Sequence, residues 1–241
     1  NDLPPGRGLG SSSTLSVLLV GLISQIQGIK YDDYKIAELA YKVEREELKI
    51  NGGWQDQYAA VTGGFNFMEF RGDKTLVYPL RLKEEVVNEF NRHLLLCYVG
   101  KSHFSGDLHK SQENSFKANE EQVTNNLNEL KNIAVNIKEC LLVNDLEKIG
   151  GFLHQSWMNK RNIDESISNE SIDKLYEVGL KNGAVGGKLL GAGGGGYILF
   201  FHNPEKRNML AKALTENGGE ILGFNFDFKG TQIWPAKSKT N

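Results

Sequence analysis

The run LPPGRGLGSSSTL, Leu3 to Leu15, sets glycines at 6, 8 and 10 and serines at 11, 12 and 13 directly ahead of an apolar helical pattern, Leu15, Leu18, Leu19, Leu22, Ile23 and Ile26. Glycine admits positive φ and lets backbone N–H groups approach an anion with no Cβ in the way. The helix that follows offers unpaired N–H donors and the positive end of its dipole. The stretch therefore reads as a phosphate-binding loop feeding a helix N-terminus. No lysine follows the last glycine, which argues against the Walker pattern. The third glycine comes one residue early for the dinucleotide fingerprint. A glycine- and serine-rich turn can also be a plain structural cap, so the rest of the chain has to decide.

Composition narrows the classes. The chain has 241 residues, 39% of them hydrophobic, with 28 basic against 30 acidic side chains and a net charge of −2. That suits a globular chain of one or two domains. It leaves no electrostatic footprint for nucleic acid, so phosphate recognition should be local. The longest apolar run is broken by Ser16, Gly21, Ser24 and Gln25, which excludes a membrane span. No signal peptide is visible. Cys97 and Cys140 read as buried free thiols in a reducing, cytoplasmic compartment, and no Cys/His spacing suits zinc. Within the chain no strand precedes the phosphate loop, which predicts that an N-terminal part is missing.

Periodicity predicts a second helix from Asp32 or Asp33 to about Lys49, with Ile36, Leu39, Ala40 and Val43 as its stripe and Glu44, Glu46 and Glu47 at its far end. A second glycine-rich segment, NGGWQDQYAAVTGGFNFMEF, then sets Asp56 between Gln55 and Gln57. A strand over Phe65 to Phe70 pairs through a turn at Gly72 and Asp73 with Thr75 to Leu82. A short helix at Glu84 to Phe90 and a strand at Leu94 to Val99 follow. After a polar loop, helices are expected from Glu121, from Leu146 and from Ser171. The third cluster, GGKLLGAGGGG, leads into a strand at Tyr197 to His202, a helix to about Asn217, and a half-buried strand marked by Leu222, Phe224, Phe226 and Phe228. Helices on one face of an antiparallel sheet, an α+β arrangement, fit this order.

Three glycine clusters far apart in sequence suit one site wrapped around a phosphate-rich ligand, with a carboxylate and a metal as phosphoryl transfer needs. PPGRGLGSSS, GGWQDQYAAVTGG and KLLGAGGGG resemble, in order, the second motif, the aspartate-bearing segment and the third motif of the GHMP small-molecule kinases. The wording GWQDQYAA…GGFNF is most similar to the members that phosphorylate a heptose 7-phosphate. The resemblance implies a two-domain α+β fold: an N-terminal domain of the ribosomal protein S5 domain 2 type, here truncated, over 1–92, and a ferredoxin-like C-terminal domain over 93–241. It implies ATP and Mg²⁺, a sugar phosphate acceptor, and leaves a homodimer open. Residue by residue, it puts Gly6, Gly8, Gly10 and Ser11 on the phosphates within the nucleotide-binding run that Pro5, Arg7, Leu9 and Ser13 complete. Ser12 becomes a phosphate or Mg²⁺ ligand, Glu44 a Mg²⁺ ligand that competes with Glu47 one turn along, and Asp56 the base beside the acceptor hydroxyl. The family's first motif has no counterpart in the chain.

A phosphorylated acceptor needs its own anchor. Lys101 and His103, with Ser105, His109 and Lys110, are the densest donors, and Lys160, Arg161 and Lys188 compete with them. Gly53, Gln55, Gly193 and Gly194 are the remaining candidate substrate contacts. Trp54, Trp157 and Trp234 read as core or pocket wall. The alternatives are a kinase for an unphosphorylated galactose- or fucose-like sugar, and a non-catalytic nucleotide- or sugar-binding regulator.

Overall fold

Aliphatic periodicity and a left-handed glycine bound the first helix: α1 runs Ser11–Ile26, and Gly28 takes a φ of 71° just beyond it. The computed structural model describes residues 9–72, 74–100 and 120–235. These form two units, one of Gly10–Leu80 with the chain from Phe226 onward, the other of Arg81–Asn225 together with Leu9.

In the first unit, Asp32 caps α2 (Asp33–Lys42) by accepting a 2.8 Å bond from the Lys35 amide. The helix then loosens into one π turn, Val43–Glu47, closed by the Leu48 amide on the Val43 carbonyl at 3.0 Å. α3 (Gln55–Thr62) and an antiparallel hairpin, β1 (Asn66–Arg71) and β2 (Lys74–Pro79), complete it. The turn between the strands includes Asp73, outside the described residues. Val17, Ile36, Ala37, Ala40, Tyr58 and Val61 form the core. α1 buries Ser13, Val17, Gly21 and Ser24, so its six large apolar side chains stay exposed. Periodicity finds the helix here but not its buried face.

The segment expected as a strand through Phe228 is one only over Glu220–Leu222. Beyond Asn225 the chain joins the first unit through isolated bonds: the Gly64 amide to the Asp227 carbonyl at 2.6 Å, and Thr231 to the carbonyls of Val61 and Ala60. Phe226 and Phe228 pack on Phe65, with Phe226 centred 4.8 Å away. Alternation was spent on ring packing without a ladder. Gly63, at φ 63°, permits this approach, since a Cβ there would run into the Gly230 backbone.

The second unit contains α4 (Glu84–Arg92), β3 (Leu94–Tyr98), α5 (Glu120–Val143), α6 (Ile149–Arg161), α7 (Glu170–Lys181), β4 (Ala184–Leu189), β5 (Tyr197–His202), α8 (Arg207–Glu216) and β6 (Glu220–Leu222). Asn144 breaks α5 at a φ of 60°, and Asn169 caps α7 on the Ile172 amide at 3.0 Å. The sheet order is β4-β5-β3-β6 with every pair antiparallel. Read as β-α-β-β-α-β, this is the ferredoxin-like connection. Leu95, Cys97, Trp157, Ile198 and Phe200 centre its core. Both cysteines are buried free thiols. Trp157 is core, whereas Trp234 is exposed and no part of a wall.

Candidate active site

Helix α1 begins with no side-chain cap and no acidic residue in its first turn. Gly10 precedes it in the left-handed region, φ 67°, and the Thr14 amide bonds its carbonyl at 3.0 Å. The first amides of a helix have no intrahelical partner. With no carboxylate or hydroxyl capping them among the described residues, those of Ser11, Ser12 and Ser13 are suited to an anion.

Two acidic side chains meet this terminus from different elements. Asp56 lies in the first turn of α3, half-buried. A Cβ at Gly10 would come within 3.4 Å of its carboxyl carbon and 3.5 Å of Oδ2. The glycine therefore lets a carboxylate sit directly against the helix end. Glu44 comes from the π turn and is fully buried, while Glu46 and Glu47 point to solvent. The π turn separates the two candidates that a regular helix would leave on one face. The Ser12 hydroxyl donates to Glu44 Oε1 at 2.7 Å.

Gln57 was missing from the sequence-derived site. It is fully buried, and its Nε2 donates to Glu44 Oε2 at 2.6 Å and to Ser13 Oγ at 3.2 Å, leaving Oε1 unpaired. It positions the carboxylate against the serine turn. The available signal was a glutamine in the buried stripe of α3, beside Tyr58 and Val61. Arg45 holds the preceding loop by donating to the carbonyls of Ile50 (3.1 Å) and Gly53 (3.5 Å).

Glu44 has no cationic partner among the described residues, an expensive state for a buried carboxylate. No three His, Cys, Asp or Glu side chains cluster there among those residues. One carboxylate and one hydroxyl are what Mg²⁺ takes when phosphate oxygens and water complete its shell, so the donor set fits that ion.

Gln55 and Gly53 are exposed on the approach to Asp56, with Gln55 Nε2 3.4 Å from Asp56 Oδ1. Leu9 is partly buried. Pro5, Gly6, Arg7, Gly8, Lys101 and His103 lie outside the described residues. Gly193 and Gly194 pack on the turn before α7: the Gly194 amide bonds the Ile167 carbonyl at 2.9 Å, and a Cβ at Gly193 would come 2.9 Å from Ile167 Cα. Close packing alone accounts for glycine at 193.

Residues 1–64 match the GHMP kinases N terminal domain and residues 135–220 the GHMP kinases C terminal model. The chain belongs to the GHMP kinases. Within that family it is 37% identical over 235 residues to the D-glycero-α-D-manno-heptose 7-phosphate kinase of Campylobacter jejuni, covering 97% of this chain and 69% of that protein. It is 27% identical to the L-fucokinase/L-fucose-1-P guanylyltransferase of Bacteroides fragilis, over 96% of this chain and 25% of that one. Among solved structures, a D-glycero-D-manno-heptose 1-phosphate kinase from Bacteroides thetaiotaomicron superposes with a TM-score of 0.74 at 29% identity, covering 98% of this chain and 67% of that chain. No described helix is long and apolar enough to cross a membrane.

Proposed function

We propose that this chain carries the phosphoryl-transfer centre of an ATP-dependent kinase acting on the anomeric hydroxyl of D-glycero-D-manno-heptose 7-phosphate to give the 1,7-bisphosphate. The carrying observation is the Asp56 carboxylate against Gly10 at the uncapped start of α1. The 37% identity to a heptose 7-phosphate kinase supports the choice of sugar.

A sugar hydroxyl is a poor nucleophile at neutral pH, and a carboxylate within hydrogen-bond reach can take its proton as the new O–P bond forms and ADP leaves. In a largely dissociative transition state, Asp56 orients the hydroxyl as much as it deprotonates it. The amides of Ser11, Ser12 and Ser13 receive the nucleotide phosphates. Ser12 and Glu44, held by Gln57, would carry Mg²⁺, which neutralises charge on the phosphates.

The test is ADP release from ATP and Mg²⁺ with D-glycero-D-manno-heptose 7-phosphate, free heptose, galactose, fucose and mevalonate as acceptors. Selective turnover of the 7-phosphate is expected. Turnover of a free sugar alone keeps Asp56 and discards the heptose reading. Asp56→Asn should lower turnover roughly 10²- to 10⁴-fold with nucleotide binding retained. A variant near wild-type rates would remove Asp56 from the mechanism.

A further inference from the structure

The loop that joins the π turn to α3 turns back sharply. Lys49 stands at a φ of 54°, a left-handed value that a residue with a side chain keeps only where its surroundings over-determine it. Two side chains supply that constraint. The Arg45 guanidinium donates to the carbonyls of Ile50 at 3.1 Å and of Asn51 and Gly53 at 3.5 Å, and its Nε is buried. Tyr41, one turn earlier, stacks on Trp54 with ring centres 3.3 Å apart and planes 4° from parallel. Arg45 has no acidic partner among the described residues, so its donor fork is committed to this backbone. Gly52 makes room for the fork, since a Cβ there would come 2.6 Å from the guanidinium carbon.

What this loop holds is the start of α3. Trp54 immediately precedes the helix and offers it no side-chain cap. Asp56 lies two residues further on, and among the described residues the single hydrogen bond of its carboxylate is the 3.4 Å contact from Gln55. Its own bonding does not fix its aim, so the carboxylate points where the first turn of α3 puts it. Tyr58 and Val61 anchor the buried face of α3 beyond that turn. Glu44, one residue before Arg45, faces inward to Ser12 at 2.7 Å. Neighbouring residues of one π turn thus reach both acidic halves of the site, one as a carboxylate and the other through the loop.

We infer that Arg45 is a positioning residue for the Asp56 carboxylate: by clamping 50–53 it fixes the first turn of α3 and so sets where that carboxylate meets the acceptor hydroxyl. The effect on rate rests on the reading of Asp56 as the base, whereas the clamp does not. A planar fork can hold several carbonyls at once, which a compact ammonium cannot. Misplacing a reacting group by about 1 Å lowers a rate on the order of 10²-fold.

The test uses the whole chain and two readouts, of which only one needs turnover. Arg45→Ala should lower kcat about 10- to 100-fold, with the KM for ATP within about twofold of wild type, because orientation is lost and nucleotide contacts are not. In the same variant the amides of Ala59 and Ala60, which close the first turns of α3, should exchange about tenfold faster while those of β5 do not change. Millimolar guanidinium chloride should restore both readouts, and sodium chloride at the same concentration should not. Gly52→Ala keeps the arginine but displaces its fork, so it should reproduce both losses without rescue, and it decides the matter should Arg45→Ala fail to fold. A folded Arg45→Ala with unchanged kcat or unchanged exchange overturns the inference, as does equal recovery in sodium chloride. A wild-type chain that turns over no acceptor sinks the kinase reading alone, and exchange at Ala59 and Ala60 still decides whether Arg45 sets the start of α3.

Discussion

The two units bury different things. At the centre of the C-terminal unit lie Trp157, Tyr197, Phe200 and Phe201, all under 2% exposed or close to it. The N-terminal unit has a slighter core, in which two of the six residues are alanine, and beside it buries a carboxylate, an amide and a hydroxyl: Glu44, Gln57 and Ser13. It also turns Leu15, Leu18, Leu19, Leu22, Ile23 and Ile26 outward. Apolar burial contributes stability in proportion to area, whereas a buried carboxylate without a cation detracts from it. Packing therefore specifies the C-terminal unit, and the N-terminal unit tolerates a destabilising centre, as the proposed metal-holding role of Glu44 would require.

Core truncation should give the largest effect and break this contrast if it fails. Phe200 sits against Tyr176 and so near α7 that a Cβ at Gly179 would run into its ring. Phe200→Ala should cost about 3–5 kcal/mol, read from the urea midpoint. A loss under about 1 kcal/mol would mean that the core collapses freely around the gap. Glu44→Gln should do the opposite. The glutamine keeps a shape that can bond Ser12 and Gln57 but removes the buried charge. Stability should hold or rise by about 1 kcal/mol, while Mg²⁺-dependent turnover collapses. If stability and turnover fell together, Glu44 would be a structural residue.

Most elements of both units were legible from periodicity and caps. Asp32, one of the two aspartates offered as a cap, is the N-cap of α2, whereas the cap of α7, Asn169, lies two residues ahead of the expected start at Ser171. β3 and β5 were readable as strands and an antiparallel α+β arrangement fitted their order, while the ferredoxin-like type was implied only by the family resemblance. Three features were not legible. β4 (Ala184–Leu189) lies in a run read only as a glycine cluster, because Gly186 and Gly187 leave no side-chain alternation to see. The π turn at Val43–Glu47 has no sequence signature, so Glu44 and Glu47 stayed in competition until the backbone turned one inward. The phenylalanines at 224, 226 and 228 carry a strand's alternation, but pairing depends on a free neighbouring edge, and the chain instead passes to α3 through contacts that only Gly63 and Gly230 allow. In the site, Asp56 and the serines could be singled out as candidates because phosphoryl transfer calls for a carboxylate beside a phosphate-binding loop. Gln57 was hidden because an amide that positions another side chain looks, in one sequence, like any polar flank.

The smallest effect sharpens the comparison from the C-terminal side, where even a well-packed unit holds groups at odds with burial. The Lys160 amine sits at about 7 in the fold and near 10.4 in an unfolded chain. Between these values the unfolded chain binds the extra proton, so stability must rise with pH above about 7. Cys97 opposes this: burial pushes its thiol up to about 12, so only the unfolded thiol ionises above about 8.5 and stability falls there. The C-terminal unit should thus gain up to about 1 kcal/mol from pH ~7 to ~8.5 once solvent screening of a partly exposed amine is allowed for, and then level off. Hydrogen exchange of the β5 amides measures it in that unit alone. Burial lowers the Lys188 amine too and adds a contribution of the same sign, so Lys160→Met should reduce the rise without abolishing it. A rise undiminished in Lys160→Met would mean that the Lys160 amine is not depressed in the fold and that the rise traces to other groups.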